Sequence, residues 1–303
     1  MINQVTKDKI ANLAEQYRAL QKSHAQALHE IAMAEVPEMV YNSNAIENST
    51  LSLKDTEDIL MHDKITRDHN IREVYEAKNL ASVMVRLEKD PEPLSVKSTL
   101  ELHRLLLTHI QDEVAGRFRR GKEWVRIGVH VGASPDFVSG LASGLIQKYN
   151  TPSDEYFLDK IAYFHAEFET IHPFVDGNGR IGRALINHQL ALAGYPPITI
   201  QSKGKRTDYY PLFDDYRRSG KYDGFTELFA LLLLESLHKR IALTMSPRVV
   251  PLVDWARANG MATNSAINRA NRQTIPAFRM NERWMIAEDY AQSNYVQSNK
   301  EKE

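Results

Sequence analysis

The sequence predicts a mainly α-helical protein, and two observations lead to that prediction. Apolar residues recur at mixed three- and four-residue intervals in most of the long segments of this 303-residue chain. Only one internal stretch combines β-branched residues with nearby glycines in the manner of a hairpin. The composition, 43% hydrophobic and 25% charged, is that of an ordinary globular protein.

The helical periodicity is clearest in six segments, and a hairpin lies between the third and the fourth. Glycine followed by two prolines, at residues 194–197, ends the fifth segment, because proline cannot continue a helix. The predicted hairpin covers about residues 122–137. The predicted helices are residues 10–34, 70–87, 96–110, 158–171, 181–193 and 225–243.

The chain changes character at Ser246-Pro247, which predicts a boundary. We expect an N-terminal helical region at 1–95, a core at 96–245 and a C-terminal module at 246–303. The module should contain two short helices, at 249–259 and 266–272, and a small hairpin around 275–286, in the manner of a winged helix. The last residues, 293–303, predict a frayed polar tail.

Composition excludes several classes of protein. The chain has no cysteine, which rules out disulfides and thiolate metal sites. Its longest apolar run, residues 228–234, is far shorter than the ~20 residues of a membrane helix. The N-terminus has no apolar region of the kind found in signal peptides, so we expect a cytoplasmic protein. A net charge of −1 calls for neither nucleic acid nor a membrane as a bulk partner.

The twelve residues from His172 to Arg183 carry most of the functional information. Gly177-Asn178-Gly179 can direct successive backbone N–H groups at one anion, and a helix that begins there adds its dipole. Two guanidiniums, Arg180 and Arg183, lie three residues apart and therefore on one face of that helix.

The same segment supplies a metal ligand and a base. Asp176 offers hard carboxylate oxygens, and Mg²⁺ is commonly held by one or two carboxylates together with substrate phosphates. Histidine is the residue type most often used as a general base, so His172 suits removal of a proton from an attacking hydroxyl. Each piece alone is more often a turn or a solvated helix face. Together, and between two helices, they predict a nucleotide-phosphate site.

The segment resembles the Fic family motif, histidine-x-phenylalanine-x-acid-glycine-asparagine-glycine-arginine-x-x-arginine, at every defined position. The resemblance implies the helical Fic fold with a small β-hairpin flap, and AMP transfer from Mg-ATP to a hydroxyl of a target protein. It also implies His172 as general base and Asp176 as the Mg²⁺ ligand. Phe174 would anchor the loop. The nucleotide contacts implied within the motif are Asp176, Gly177, Asn178, Gly179, Arg180, Ile181, Gly182 and Arg183, with Arg183 on the γ-phosphate.

Two further stretches are similar to the family. Gly116-Arg117-Phe118-Arg119 leads into Val125-Arg126-Ile127-Gly128, which resembles the flap that covers the nucleotide and docks the target by strand addition. Residues 206–210 resemble the segment in which a tyrosine contacts the nucleotide, and alignment favours Tyr209 over Tyr210. The glycine at 179, where a kinase-like branch has lysine, favours nucleotidyl transfer.

Residues 43–48 resemble the family's inhibitory motif, Ser/Thr-x-x-x-Glu-Gly/Asn, with Ser43, Glu47 and Asn48 at the defined positions. Its place N-terminal to the core is that of the class whose inhibitory helix belongs to the same chain. The resemblance implies that Glu47 pairs with Arg183 and denies that arginine to the γ-phosphate of ATP.

The sequence thus predicts an autoinhibited protein adenylyltransferase that uses ATP and Mg²⁺. Two alternatives stay open. One is different Fic-fold chemistry, either de-adenylylation or transfer of another nucleotide. The other is a nucleotide-sensing regulator that binds DNA or protein through the C-terminal module, where four arginines cluster between 269 and 283. Of those two module partners, protein is favoured over DNA. The target protein and a homodimer remain undefined by the sequence.

Overall fold

The computed structural model describes residues 2–66, 68–89 and 92–291, and it confirms the mainly α-helical prediction. Three of its helices, α3, α6 and α9, lie outside the segments that the periodicity predicted. The helices are α1 (Gln4–Ser23), α2 (Ala25–Ile46), α3 (Leu53–His62), α4 (Ile71–Lys89), α5 (Val96–Leu107), α6 (Pro135–Asn150), α7 (Phe157–Ile171), α8 (Asn178–Leu192), α9 (Tyr210–Ser219), α10 (Asp223–Met245), α11 (Leu252–Ala258) and α12 (Thr263–Asn271).

The N-terminal helix predicted at 10–34 is two helices, α1 and α2. The second continues to Ile46 although Pro37 lies inside it. Burial of Met39, Val40 and Ile46 stabilises the helix beyond the proline, because this packing offsets the lost backbone hydrogen bond. The helix therefore ends directly before Glu47, at the predicted inhibitory motif.

The core that positions the site is formed mainly by α4, α5, α7 and α8. Helix α8 is buried on nearly all sides, and α7 also buries most of its length. Both flank the loop 172–177, and their apolar residues surround Phe174, which has no exposed surface. The loop that carries the motif is therefore anchored in the core through Phe174.

The predicted hairpin is present, but it is shorter than expected. Strands β1 (Arg126–Ile127) and β2 (His130–Val131) pair antiparallel, with Arg126 opposite Val131. The C-terminal part of the predicted range is instead the start of α6, because Pro135 occupies the first helical turn, where its missing N–H costs nothing.

The C-terminal segment has its own small core. Strands β3 (Val249–Pro251), β4 (Phe278–Met280) and β5 (Arg283–Ala287) form an antiparallel sheet in the order β3-β5-β4. The helix predicted from 249 begins only at Leu252, since Val249 to Pro251 pair with β5. The two helices and the hairpin are thus present, while a winged-helix identity stays a prediction.

The chain divides into two compact units. One contains Ala32–Leu232 together with the first residues, and the other contains Lys7–Ile31 and the chain from Leu233 onward. The three-part division at 95/96 and 245/246 stays a prediction, and the tail predicted at 293–303 lies outside the described residues. Within residues 2–66, 68–89 and 92–291 no helix has the length and apolar character needed to cross a membrane.

Candidate active site

The loop between α7 and α8 is built around an unusual backbone conformation at His172. This residue ends α7 with φ 53° and ψ 65°, in the left-handed region that few non-glycine residues adopt. Gly177 has φ 79° and precedes the first residue of α8. Two left-handed residues five positions apart turn the chain so that α8 begins beside the end of α7.

Asn178 closes this loop with its side chain. Its Oδ1 accepts a hydrogen bond from the Phe174 N–H (2.8 Å), and its Nδ2 donates to the Phe174 carbonyl (2.9 Å). Asn178 is buried, so its amide holds the loop, whereas a nucleotide contact was predicted for this residue. The backbone N–H groups at the start of α8 are unaffected by this arrangement.

His103 supports the loop from α5. Its ring stacks on Phe174 with centroids 3.7 Å apart, Nδ1 accepts from the Gly116 N–H, and Nε2 lies 3.0 Å from the Asp176 carbonyl. Burial lowers the pKa of His103 to about 4, although the hydrogen bond to the Asp176 carbonyl acts in the opposite direction. The ring is therefore neutral, with its proton on Nε2.

A cavity of about 430 Å³ opens above this loop. It brings together the predicted base His172, the acidic residue Asp176, the glycine-framed turn and Glu47 of the predicted inhibitory motif. Residues of α4, which the sequence had not connected to the site, complete its wall. The lining consists of Glu47, Asn48, Ser49, Asn70, Arg72, Glu73, Glu76, Ile127, His172, Val175, Asp176, Gly177, Asn178, Gly179 and Arg180.

His172 is held on both its ring and its backbone. Nδ1 lies 3.3 Å from the carbonyl oxygen of Glu169 and 3.5 Å from the carboxylate Oε2 of the same residue. Arg119, which is 1% exposed, donates from Nε to the His172 carbonyl (2.7 Å) and from its terminal nitrogen to the Ile171 carbonyl (2.9 Å). These bonds satisfy the carbonyls at the end of α7 and fix the direction of the imidazole.

Asp176 lies between two guanidiniums. Its Oδ2 accepts from Arg72 of α4 (2.5 Å), and its Oδ1 accepts from Arg180 (3.2 Å) and from the Gly177 N–H. Burial alone would raise the pKa of Asp176, but Arg180, the Gly177 amide and Arg72 outweigh it and hold the pKa below its usual value. The carboxylate is thus ionised and presents oxygen ligands to the cavity.

Arg180 is positioned by α4. Its side chain is 4% exposed, and it pairs with Glu76 Oε1 (3.0 Å) as well as with Asp176. Glu76 also accepts from Arg72 Nε (3.0 Å), one helical turn away. The two acids and two arginines therefore form a closed network that orders this side of the cavity.

Arg183 makes the contact with Glu47 that the sequence predicts. Its guanidinium donates to Glu47 Oε1 (2.8 Å), to the Ser43 hydroxyl (3.0 Å) and to the Ser43 carbonyl (2.9 Å). Burial would lower the pKa of Arg183, but Glu47 and Tyr209 nearby raise it instead. Gly179 is part of this contact, because a methyl group in its place would collide with the Glu47 carboxylate.

A second set of bonds fixes the end of α2 near Glu47. Lys205 Nζ donates to the carbonyls of Ala45 (2.8 Å) and Ile46 (2.9 Å) and to Asn48 Oδ1 (2.8 Å). The Tyr210 hydroxyl also donates to the Ile46 carbonyl (2.8 Å). Lys205 begins a π-helical turn, Lys205–Tyr209, a kind of irregularity that is often found at functional sites.

Several predicted nucleotide contacts lie outside the cavity wall. Tyr209 is buried at 2% exposure and its hydroxyl bonds to His165 Nε2 (2.7 Å). Gly182 packs against Glu169 and His165, so it faces the protein. Of the flap residues, only Ile127 lines the cavity. The other predicted residues that do not line it are Val125, Arg126, Gly128, Ile181, Arg183 and Ser43.

Known proteins share sequence and fold with the segment that carries this geometry. Residues 93–190 match the sequence profile of the Fic/DOC family. The protein adenylyltransferase Fic of Drosophila persimilis is 34% identical over 181 residues, which cover 56% of this chain and 34% of that protein. The chain thus spans about a third of the length of the curated relatives that it matches.

Solved structures share the fold. A Fic domain-containing signalling protein from Bacteroides thetaiotaomicron superposes with a TM-score of 0.71 at 24% identity, covering 78% of this chain and 96% of that one. Fic-1 (residues 134–508) from C. elegans gives a TM-score of 0.69 at 26% identity, covering 79% of this chain and 71% of that one. The chain therefore shares the fold of these structures, and its residues 93–190 are similar to the Fic/DOC family.

Proposed function

We propose that this protein is a protein adenylyltransferase that moves AMP from ATP to a hydroxyl of a target protein or of itself. The observation that carries the proposal is the single cavity that joins His172, Asp176 and the turn Gly177–Arg180. Relatives that match more than half of the chain are named protein adenylyltransferase Fic, and a proton acceptor beside a phosphate-binding turn is what that chemistry requires.

His172 would act as the general base. Because its Nδ1 is directed at the Glu169 carbonyl, Nε2 is the nitrogen that can accept a proton. A target hydroxyl gives its proton to Nε2 while its oxygen attacks the α-phosphate of ATP. The bond to the bridging oxygen breaks, and pyrophosphate leaves.

The phosphates would be bound by the start of α8. The backbone N–H groups of the turn and the helix dipole favour negative charge there, and Arg180 is already oriented by Glu76. Arg183 would bind the γ-phosphate once Glu47 has moved away.

Asp176 fits a Mg²⁺ ion that is shared with the nucleotide. Its carboxylate is ionised and lines the cavity. Among the described residues, no group of three or more His, Cys, Asp or Glu side chains could hold a metal alone, so phosphate oxygens would have to complete the coordination. When bound, the ion would neutralise charge on the phosphates.

We propose that Glu47 is an internal brake. Its carboxylate occupies the guanidinium that the γ-phosphate needs, and it adds negative charge at the same place. The bonds from Lys205 and Tyr210 to the Ile46 carbonyl hold the end of α2 in this inhibitory position. ATP could then bind only in an unproductive pose.

The flap would dock the target. Trp124 and Val129 are 58% and 91% exposed on the hairpin, and its short strands offer backbone groups for pairing with an extended peptide. The identity of the target, a cytoplasmic location, a homodimer and a role of the C-terminal module in binding protein, or less favourably DNA, stay predictions.

One observation favours the reverse reaction as a second candidate. Glu47 is 41% exposed and lines the cavity, so its carboxylate could orient a water molecule toward the phosphorus of an AMP-modified target. Release of AMP from a modified target that depends on Glu47 would support this hydrolase over the transferase. A nucleotide-sensing regulator would instead bind ATP without transfer and would not need His172.

The test compares ATP labelled at the α-phosphate with ATP labelled at the γ-phosphate. Wild type, Glu47→Gly and His172→Ala are incubated with each nucleotide and Mg²⁺, alone and with a cell lysate. Protein label from the α-position only, and only with His172 present, supports AMP transfer. Label from the γ-position, or α-label that survives His172→Ala, would exclude the proposed reaction.

A further inference from the structure

Glu169 is a buried acid that the proposed reaction does not yet use. It lies on α7 one turn before His172 and is 9% exposed. One carboxylate oxygen, Oε2, is 3.5 Å from His172 Nδ1. The other, Oε1, has no hydrogen-bond partner within the described part of the chain. A buried carboxylate with a free oxygen is costly and calls for an explanation.

The groups around Glu169 keep it charged. His172 and His165 face it from α7, Arg183 from α8, and Tyr209 from the π-helical turn. Burial would raise the pKa of Glu169, but His172, His165 and Arg183 together hold the pKa below its usual value. Glu169 is thus a carboxylate at neutral pH, placed directly behind the imidazole.

Gly182, at an undefined position between the two motif arginines, makes room for this carboxylate. A methyl group at Gly182 would collide with Glu169 Oε1 and would lie 3.3 Å from His165 Cε1. Gly182 was predicted to contact the nucleotide, yet it faces Glu169. The need for glycine at this position therefore follows from the acid that packs against it.

We propose that Glu169 is the positioning residue for His172. Its carbonyl and carboxylate oxygens both attract the proton on Nδ1, which selects the tautomer with Nε2 free and aims that nitrogen at the cavity. When Nε2 takes the hydroxyl proton, the carboxylate stabilises the imidazolium and itself stays ionised. This inference rests on the proposed AMP transfer and assigns Glu169 to the same site.

The kinetic test uses the Glu47→Gly protein as parent, with Glu169→Gln added. The glutamine keeps the size and the backbone carbonyl, removes the charge and replaces one accepting oxygen with an NH₂ group. We expect kcat to fall on the order of 10- to 100-fold with the KM for ATP changed less than about 2-fold. The acidic limb of the pH–rate profile should move to lower pH by roughly one unit, because a negative charge beside the imidazole is lost. Glu169→Asp should restore part of kcat.

Glu167→Gln is the matched control. Glu167 lies on the same helix, and its Oε2 accepts from the Tyr216 hydroxyl, away from the imidazole. It should leave kcat and the pH profile unchanged. If Glu169→Gln behaves like this control, the positioning role is wrong.

A measurement independent of activity separates this inference from the proposed function. Nitrogen-15 chemical shifts of His172 report which ring nitrogen carries the proton. We expect the Nδ1–H tautomer in the parent and a mixture in Glu169→Gln. An unchanged tautomer would overturn the inference even if AMP transfer is confirmed, and a parent without AMP transfer would overturn only the proposed function.

A second variant covers poor folding of Glu169→Gln. Gly182→Ala leaves Glu169 in the chain but displaces its carboxylate. It should give the same shift of the acidic limb and the same tautomer mixture. If neither changes in Gly182→Ala, the inference fails.

Discussion

Replacing Glu47 tests the proposed brake, in which its carboxylate occupies the guanidinium of Arg183 that would otherwise bind the γ-phosphate of ATP. Arg183 has a side-chain exposure of 6% and Glu47 one of 41%, with 2.8 Å between the guanidinium and Oε1. Glu47→Gly removes the carboxylate and leaves the bonds from Arg183 to Ser43 in place. The γ-phosphate of ATP can then reach the guanidinium.

The size of the effect follows from the exposure of the pair. A hydrogen bond to a charged group contributes about 1.5–3 kcal/mol, and partial exposure of Glu47 reduces this to roughly 1–2 kcal/mol. Productive ATP binding should therefore improve about 5- to 30-fold. Glu47→Gln should give a smaller gain, because its amide oxygen can still accept from Arg183.

The assay is the initial rate of protein labelling from α-labelled ATP at subsaturating concentration. Glu30→Gln is the control, since Glu30 lies on the same helix α2 and contacts only Gln26 among the described bonds. A rate for Glu47→Gly equal to wild type, with Glu30→Gln also unchanged, would refute the brake.

Three further predictions concern the surroundings of the cavity. Lys205→Ala removes the bonds to the Ile46 carbonyl, so AMP labelling should rise but less than in Glu47→Gly; no rise would show that this lysine does not restrain the brake. Arg72→Ala frees the Asp176 carboxylate, and the Mg²⁺ concentration for half-maximal labelling should fall by up to about 5-fold; an increase would mean that Arg72 binds substrate. The pKa of His103 drops from 6.5 to about 4 on folding, so its neutral form contributes stability that is complete above pH 6.5 and is lost as the pH falls toward 4. The full difference is on the order of 3 kcal/mol, and His103→Gln should flatten the fall of Tm over this range; an unaltered slope would contradict the assignment.

The residues of the motif loop could be predicted to lie together because they are close to one another in the sequence. His172, Asp176 and the turn Gly177–Gly179 lie within eight residues, and glycines with a following helix leave few conformations for them. The amphipathic pattern of α7 and α8 also predicted that both helices would pack on the core.

The sequence could not provide the contacts made across long separations. Arg72 reaches Asp176 over 104 residues, and nothing in the pattern of α4 distinguishes this arginine from a solvated one. Lys205 likewise meets Ile46 only because the π-helical turn brings it there. Glu169 was closer to being found, since it lies one helical turn before His172 and is thus on the same side of α7.

Tyr209 and Gly182 show a second reason why some predicted nucleotide contacts do not line the cavity. A motif identifies which residues a fold requires at a position, and it does not distinguish a ligand contact from internal support. Tyr209 bonds to His165 in the core, and Gly182 makes room for Glu169. Both positions are accounted for by packing behind the site.

The most direct measurement is the intact mass of the purified Glu47→Gly protein after incubation with Mg-ATP, beside the double variant Glu47→Gly/His172→Ala. Autoinhibited AMP transfer with His172 as the base predicts that the first protein gains the mass of AMP and the second gains nothing. An equal AMP gain in both proteins would contradict this account. So would the absence of AMP both on the Glu47→Gly protein and on the proteins of an added lysate.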